Sequence, residues 1–213
     1  MQRKPAKRFA SSSADSVAPP IRSGARVFLR FPVPGDAGEI IALRKRSMKR
    51  LKLWDPKPPR GKTMWSTDWF GRLLESRSSP AHCKMLLCLN DGRAIIGGAN
   101  INEIVRGPFN NGIAGWWIGD PYEGHGYMTE GLALLLEHAF IGLRLHRVEA
   151  NVRPENTRSR VLALRTGFCH EGFSPRYLQI ASEWADHDRY AVIVEEWRAS
   201  RRLARLGAGT KLG

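Results

Sequence analysis

The chain has 213 residues, of which 42% are hydrophobic, and it carries a net charge of +14 at neutral pH. These values suit one domain with a sizeable core and flexible ends. No stretch reaches the roughly eighteen consecutive apolar residues that a helix needs to span a membrane, so we expect no membrane-spanning helix.

The positive charge is concentrated in two tails and one internal segment. Residues 1–25 carry a net charge of +4, residues 44–62 carry +8, and residues 198–213 carry +5. Such runs are usually solvated surface, but this concentration also suits contact with RNA, a ribosome or another polyanion. Ribosome or RNA contact through these basic segments is therefore one hypothesis, and ordinary surface charge is the other.

The N-terminal segment, residues 1–25, is polar and contains proline, which predicts a disordered basic tail. It lacks the apolar stretch of a secretory signal, and an organelle transit peptide is the alternative. The chain has three cysteines, Cys83, Cys88 and Cys169, without paired spacing, which favours a reduced, cytoplasmic compartment. Together with His82 they lack the convergent spacing of metal ligands, so we expect no metal site.

The first half of the domain predicts a strand and two helices. A strand over 27–33 ends at its prolines, and Asp36 can cap a helix. One face of this helix carries Ile40, Leu43, Ser47, Met48 and Leu51. After a proline-rich break at 55–62, Ser66 and Thr67 offer a cap for a second helix.

The second half predicts six more strands and two helices. Strands are expected over 84–89, 94–105, 113–119 and 146–152, then over 173–180 and near 188–197. Asn90-Asp91-Gly92 predicts a hairpin between the first two of these. A leucine-rich helix follows Gly126, and a shorter helix lies between an Asn156 cap and a Gly167 stop. The sum is an α/β chain with a central mixed sheet, a domain over 26–198 and a basic C-terminal tail over 199–213.

A glycine turn connects the strand 113–119 to the leucine-rich helix. Gly124 and Gly126 permit backbone conformations that other residues avoid, and the following helix directs its free N–H groups into the turn. An anion such as a pyrophosphate would be stabilised there, although an ordinary strand-to-helix loop is the alternative. A P-loop is excluded because the turn has no Lys, and a dinucleotide fingerprint would need glycine where Thr129 stands.

Three ordered segments resemble the GNAT N-acetyltransferases, in particular their RimJ/RimL branch, the ribosomal-protein-alanine N-acetyltransferases. They are GWWIGDPYEGHGYMTEGL (115–132), LHRVEANVRPENTRSRVLALRTGFCHEGF (145–173) and EWADHDRYAVIVEEW (183–197). The resemblance implies a mixed, mostly antiparallel sheet flanked by helices. It also implies a V-shaped split between strands 113–119 and 146–152 that holds acetyl-CoA.

The resemblance also implies which residues bind the cofactor. They are Ile118, Gly124, His125, Gly126, Tyr127, Met128, Thr129, Asn156 and Ser159. Asn156 would contact the pantetheine arm, and Ser159 would lie beside the sulfur. Glu123 departs from the Gln or Arg of the family pattern, and we expect its side chain to point to solvent.

The catalytic groups implied by the resemblance are Ser159, which would protonate the leaving thiolate, and Glu149, which could relay a proton through water. Ala163 stands where many relatives have a tyrosine acid, and Asn151 stands where a related branch has a glutamate base. The alternative for Glu149 is an ion pair with a nearby arginine. Asp186 and His187 could exchange protons, but we favour a structural or peptide-positioning role for them.

The resulting hypothesis is transfer of an acetyl group from acetyl-CoA to the N-terminal α-amino group of a protein, with a ribosomal protein as the expected acceptor. One alternative is acetylation of a small-molecule amine. The other is a non-catalytic RNA- or ribosome-binding module on the same fold. A monomer and a dimer are both compatible with the sequence.

Overall fold

A computed structural model describes residues 18–55, 66–180 and 182–209. Within these ranges the strands are β1 (Arg22–Ser23), β2 (Val27–Arg30), β3 (Cys83–Leu89), β4 (Ile95–Val105), β5 (Asn111–Ile118), β6 (Arg147–Val152), β7 (Cys169–Ile180) and β8 (Glu183–Ile193). The helices are α1 (Ala37–Arg46), α2 (Met48–Leu51), α3 (Thr67–Glu75), α4 (Tyr127–Glu137), α5 (Thr157–Arg165) and α6 (Val194–Gly209). Of the helices in this part of the chain, none has the length and apolar character needed to cross a membrane.

The eight strands form one sheet in the order β1-β2-β3-β4-β5-β6-β8-β7. Among the described strands, β5 and β6 run parallel, and every other pair of neighbours is antiparallel. The parallel pair covers three residue pairs, from Asn111↔Arg147 to Ile113↔Glu149. Beyond Ile113 the two strands diverge, so the sheet splits, as expected from the sequence.

Apolar layers cover both faces of the sheet. Successive residues of β2 alternate between the layers: Val27 and Leu29 pack towards α4, whereas Phe28 packs towards α1 and α3. The larger layer includes Leu132 and Leu135 of α4, both fully buried. The helices are therefore held in place from opposite sides while the split edge between β5 and β6 stays open.

The start of α1 differs from the expectation that Asp36 caps it. The Asp36 carboxylate makes no cap hydrogen bond to α1. Instead it accepts two hydrogen bonds of 2.7 Å from the buried guanidinium of Arg30, and a third from the backbone of Val33. A buried charged partner outcompetes a local cap, because an unpaired buried arginine would be costly. Met48, expected on the apolar face, is half exposed.

The other local signals behave as the sequence predicts. The Ser66 hydroxyl accepts a hydrogen bond from the Trp69 backbone and caps α3. Asn156 caps α5 by accepting from the Ser159 backbone, and Gly167 beyond its end has a φ of +95°. Strands β3 and β4 form the expected hairpin, with Gly92 at a φ of +63°.

The two ends of the domain require corrections. Residues 22–23 form β1 and pair with Leu29 and Phe28, so the sheet begins inside the segment assigned to the N-terminal tail. At the other end β8 stops at Ile193, and α6 runs to Gly209 where a strand and then a tail were expected. Residues 1–17, most of the proline-rich break and residues 210–213 lie outside the described residues.

Candidate functional site

Two adjoining cavities occupy the split in the sheet. The first, of about 890 Å³, lies between the glycine turn, α2 and α5, and we call it the turn cavity. The second, of about 740 Å³, lies between α3, the strands β3–β5 and the β7–β8 hairpin, and we call it the hairpin cavity. The two cavities share six of their lining residues: Trp54, Asp55, Trp116, Trp117, Asn156 and Ser159.

The glycine turn forms one wall of the turn cavity. Gly124 and Gly126 have φ values of +82° and +76°, in the left-handed region that residues with a Cβ rarely adopt. Gly126 is the N-cap of α4 and provides no side chain to satisfy the first-turn N–H groups. These donors, with the positive end of the helix dipole, create a place for an anion at the cavity wall.

Most residues that the sequence assigned to the cofactor line this cavity. They are Ile118, Gly124, Gly126, Tyr127, Met128, Thr129, Asn156 and Ser159. The side chain of His125 turns the other way: its Nδ1 lies 2.8 Å from the Glu123 carbonyl oxygen and its ring stacks on Tyr127. Unlike the other assigned residues, His125 does not line the cavity.

An ion pair behind the turn fixes its position. The Arg26 side chain donates to the Glu130 carboxylate at 3.1 Å and to the His125 carbonyl oxygen at 3.0 Å. The Glu130 carboxylate also accepts from the Arg26 backbone at 2.8 Å. Partial burial opposes ionisation of Glu130, but these hydrogen bonds prevail and lower its pKa. The turn is thereby tied to the strand edge at β2 without using its inward-facing donors.

Helix α5 provides the opposite wall and basic residues that sequence reasoning missed. Arg158, Leu162 and Arg165 all line the turn cavity. Leu162 follows Arg158 by four residues and Arg165 follows Leu162 by three, which places them on one helical face. This signal was available in the sequence. The two guanidinium groups add positive charge where a phosphate-bearing ligand would lie.

Glu123 does not point to solvent as expected. Its carboxylate lies 2.8 Å from Arg158 Nη1 and 3.4 Å from Arg50 Nε, so it bridges α5 and α2 across the turn cavity. Arg50 also donates to the Ile118 carbonyl oxygen at 2.6 Å. The Glu123 carboxylate thus forms ion pairs with both Arg158 and Arg50, which line the cavity.

Part of the basic segment 44–62 is internal. The buried guanidinium of Arg44 lies 3.8 Å from the Trp117 ring centroid and donates to Asp55 at 2.8 Å. Burial lowers the pKa of Arg44 to about 10, against the attraction of Asp55, so it stays charged at neutral pH. With Arg50 at the turn cavity, at least two cations of this segment have structural partners and do not form a free basic surface.

The junction of the cavities is where a reaction can take place. Ser159 lies in the first turn of α5, and its backbone N–H is bonded to Asn156 Oδ1 at 3.1 Å. Ser159 itself lines both cavities. Ala163, one turn later, is 0% exposed and contributes no acid. A hydroxyl at this junction can donate to an atom that arrives from one cavity and reacts with a group in the other.

Glu149 is held in ion pairs, the alternative that the sequence left open. One carboxylate oxygen accepts from Arg147 at 3.0 Å, and the other lies 3.3 Å from Arg189. The side chain is buried beside the hairpin cavity but outside its lining. Both carboxylate oxygens of Glu149 are thus occupied by guanidinium groups.

The hairpin cavity contains polar side chains suited to an amine or peptide. Asn151 lines it, and among the described residues neither amide atom of Asn151 has a hydrogen-bond partner, although both are buried. His187 lines it as well and is 3% exposed. Asp186, its neighbour, instead accepts from the Arg176 backbone at 2.7 Å and so stabilises the β7–β8 hairpin.

The cysteines and His82 do not converge. Burial raises the pKa of the Cys83 and Cys88 thiols to about 11, which makes them poor ligands and nucleophiles. In the described part of the chain, no three His, Cys, Asp or Glu side chains are grouped as a metal site would need.

Comparison with protein families gives a match to the acetyltransferase (GNAT) domain over residues 26–169. The chain is 37% identical over 111 residues to the [ribosomal protein uS5]-alanine N-acetyltransferase of Escherichia coli, a match covering 52% of this chain and 57% of that protein. It is 33% identical over 99 residues to the probable N-acetyltransferase YjcK of Bacillus subtilis, covering 46% and 55%. The chain thus spans little more than half the length of these curated relatives.

Solved structures resemble the whole fold. Mycobacterium smegmatis RimJ in complex with CoA-disulfide superposes with a TM-score of 0.75 and 30% identity, covering 85% of this chain and 89% of that one. The ribosomal-protein-S5-alanine acetyltransferase from Vibrio fischeri gives a TM-score of 0.73 and 26% identity, covering 83% and 97%. The α/β architecture expected from the sequence, with its split, mostly antiparallel sheet, is confirmed by these matches.

Proposed function

Since the chain belongs to the GNAT acetyltransferase family, we propose that it transfers an acetyl group from acetyl-CoA to the N-terminal α-amino group of a protein. A ribosomal protein is the acceptor we favour. Two relatives, one from Escherichia coli and one from Vibrio fischeri, are named as acetyltransferases of ribosomal protein alanine residues.

In this proposal acetyl-CoA lies in the turn cavity. The backbone N–H groups of residues 124–129 and the N-terminus of α4 take the pyrophosphate, with Arg158 and Arg165 as further cations. The pantetheine arm adds to the free edge of β5 near Ile118, and Asn156 contacts it. A GNAT relative whose structure contains CoA-disulfide supports acetyl-CoA as the ligand.

The observation that supports transfer, and not binding alone, is the meeting of the two cavities at Asn156 and Ser159. A donor entering from the turn cavity and an acceptor entering from the hairpin cavity come together at this junction. A protein that only bound RNA or a ribosome through its basic tails would have no need for such a junction.

Acetyl-CoA would supply an activated acyl group on a sulfur that leaves as a thiolate. In this proposal the Ser159 hydroxyl donates a proton towards that sulfur. The acceptor must present a neutral amine, and the pKa of an α-amino group, near 7.7–8.0, makes this cost only about 1–1.4 kcal/mol at pH 7. A lysine amine with a pKa near 10.4 would cost about 4.6 kcal/mol. An α-amine is therefore the acceptor that needs only a weak base.

The test is a thioester-consumption assay of the full chain with acetyl-CoA and a panel of peptides. The panel contains free N-terminal peptides, the same peptides with blocked N-termini and internal lysines, and small amines such as spermidine and an aminoglycoside. We expect consumption with the free N-termini alone, and mass spectrometry should place the acetyl group on the α-nitrogen.

Three outcomes would contradict the proposal in distinguishable ways. Consumption with blocked peptides would move the target to lysine, and consumption with small amines would favour the small-molecule alternative. Acetyl-CoA binding without consumption of any acceptor, together with sedimentation on ribosomes, would favour the non-catalytic module.

A further inference from the structure

A buried histidine faces the hairpin cavity with one ring nitrogen unengaged. The Nδ1 atom of His187 lies 2.9 Å from the carbonyl oxygen of Ala185. A carbonyl oxygen can only accept, so Nδ1 carries the proton, and the lone pair of the neutral ring lies on Nε2. Among the described residues Nε2 has no hydrogen-bond partner, while the residue lines the cavity.

The surroundings of His187 keep it neutral. Burial is the main cause, and it lowers the pKa of His187 below the ordinary value of 6.5, with the Arg153 guanidinium acting in the same direction. The Ala185 carbonyl, Glu155 and Asp186 oppose the shift. The Tyr177 ring, 6.1 Å away between centroids, covers another side. At neutral pH the ring is thus a proton acceptor.

Asn151 is positioned to hold the group that loses this proton. Asn151 in β6 pairs with Arg189 in β8. Arg189 lies two residues after His187 in the same strand, so the side chains of Asn151, Arg189 and His187 lie on one face of the sheet. Its buried amide lacks a partner among the described residues, and it lines the same cavity as His187 and Ser159. A buried amide without a partner is costly, and an amine or peptide group in the cavity would satisfy it.

We propose that His187 is the proton acceptor for the acceptor amine and that Asn151 orients this amine. The inference rests on the proposed acetyl transfer. The nitrogen forms its bond to the acetyl carbon, and one of its protons passes to Nε2, directly or through one water. The carbon–sulfur bond breaks, and the thiolate takes a proton from water through the Ser159 hydroxyl. His187 then returns its proton to water, so protons and charge balance.

A pH profile distinguishes this role from a structural one. In the wild-type chain two groups must be neutral, the α-amine and His187. At pH values below the pKa of His187, the logarithm of kcat/KM should therefore rise with a slope approaching 2. In His187→Gln the amine alone titrates, so the slope should fall to 1, with kcat near pH 7 lowered about 100-fold or more. The peptide KM should change by no more than a few-fold.

The matched control is His170→Gln, which removes an imidazole that lies outside both cavities and is about half exposed. This variant should retain the slope of 2 and the wild-type kcat. A slope of 2 in His187→Gln, or an unchanged kcat, would overturn the inference. Inactivity of the wild-type chain on every peptide would overturn the proposed function instead.

An NMR titration of the wild-type chain provides a second measurement that needs no variant. The His187 ring should titrate below 6.5, and saturation with an acceptor peptide and CoA should change its shift. A pKa at or above 6.5, or a ring that does not respond to the peptide, would contradict the role even if His187→Gln fails to fold.

Discussion

Ser159 offers a clean test at the scale of one residue, because its two roles use different atoms. Its backbone N–H completes the α5 cap, and the residue also lines both cavities, where we assign its hydroxyl the catalytic role. Ser159→Ala should keep the cap and the melting temperature. It should lower kcat by about 10- to 100-fold while the KM for acetyl-CoA stays the same. An unchanged kcat would mean that water protonates the thiolate.

Glu123 provides a second prediction at this scale. Its carboxylate pairs with Arg158 and Arg50 at the wall of the turn cavity, so a phosphate-bearing ligand must compete with it. Glu123→Gln should tighten CoA binding by about two- to fivefold at low salt, the range expected of exposed ion pairs, and less at high salt. Calorimetry checks this.

The control for Glu123 is Glu196→Gln, which removes an exposed carboxylate from α6 and should leave CoA affinity unchanged. Weaker binding in Glu123→Gln would show that the ion pairs position the arginines for the ligand and do not compete with it.

At the scale of elements, the caps of α3 and α5 form a matched pair. Ser66 accepts from Trp69, and Asn156 accepts from Ser159, each through one side-chain oxygen. Replacing either by alanine should reduce the free energy of unfolding by about 1 kcal/mol. Only Asn156→Ala should also weaken CoA binding, because Asn156 lines the turn cavity. Equal CoA affinity in the two variants would contradict the assignment of Asn156.

The elements also show how far sequence alone can predict this protein. Caps at Ser66 and Asn156 and the hairpin at Gly92 depend on local chemistry, and these predictions are confirmed. Asp36 and Glu123 were misjudged because their partners, Arg30 and Arg158, lie on other elements. Such partners meet only when the chain folds, and for Asp36 the burial of Arg30 decides the competition with a local cap.

The site shows the same division. The glycine turn could be predicted because positive φ angles and a free helix N-terminus are properties of a short segment. The unengaged nitrogen of His187 could not, because it depends on a carbonyl oxygen in β8 and on the walls of a cavity.

At the scale of the whole molecule, the question is whether the net charge of +14 brings the protein to a ribosome. Arg44 and Arg50 have partners within the fold, whereas Lys45, Arg46, Lys49 and Lys52 are exposed, so both this segment and the chain ends are candidates for such contact. Removing residues 1–17, which carry four basic and one acidic side chain, preserves β1. The trimmed chain should show a shallower dependence of ribosome binding on salt.

Co-sedimentation at two salt concentrations measures this dependence, and activity on a short free peptide is the control, which should not change. If the full chain stays in the supernatant at low salt, the docking hypothesis is wrong and the charge serves solubility.

The short parallel pairing of β5 and β6 has a consequence for cooperativity. Three residue pairs join a half-sheet of β1–β5 to a half-sheet of β6, β8 and β7. Backbone groups at the end of a short strand pairing can open locally, as native-state hydrogen exchange detects. Amides of β6 at this seam should exchange through such openings, and ligand spanning the split should slow them. A bound substrate would then stabilise the junction of the two half-sheets, where only three residue pairs supply the strand pairing between β5 and β6.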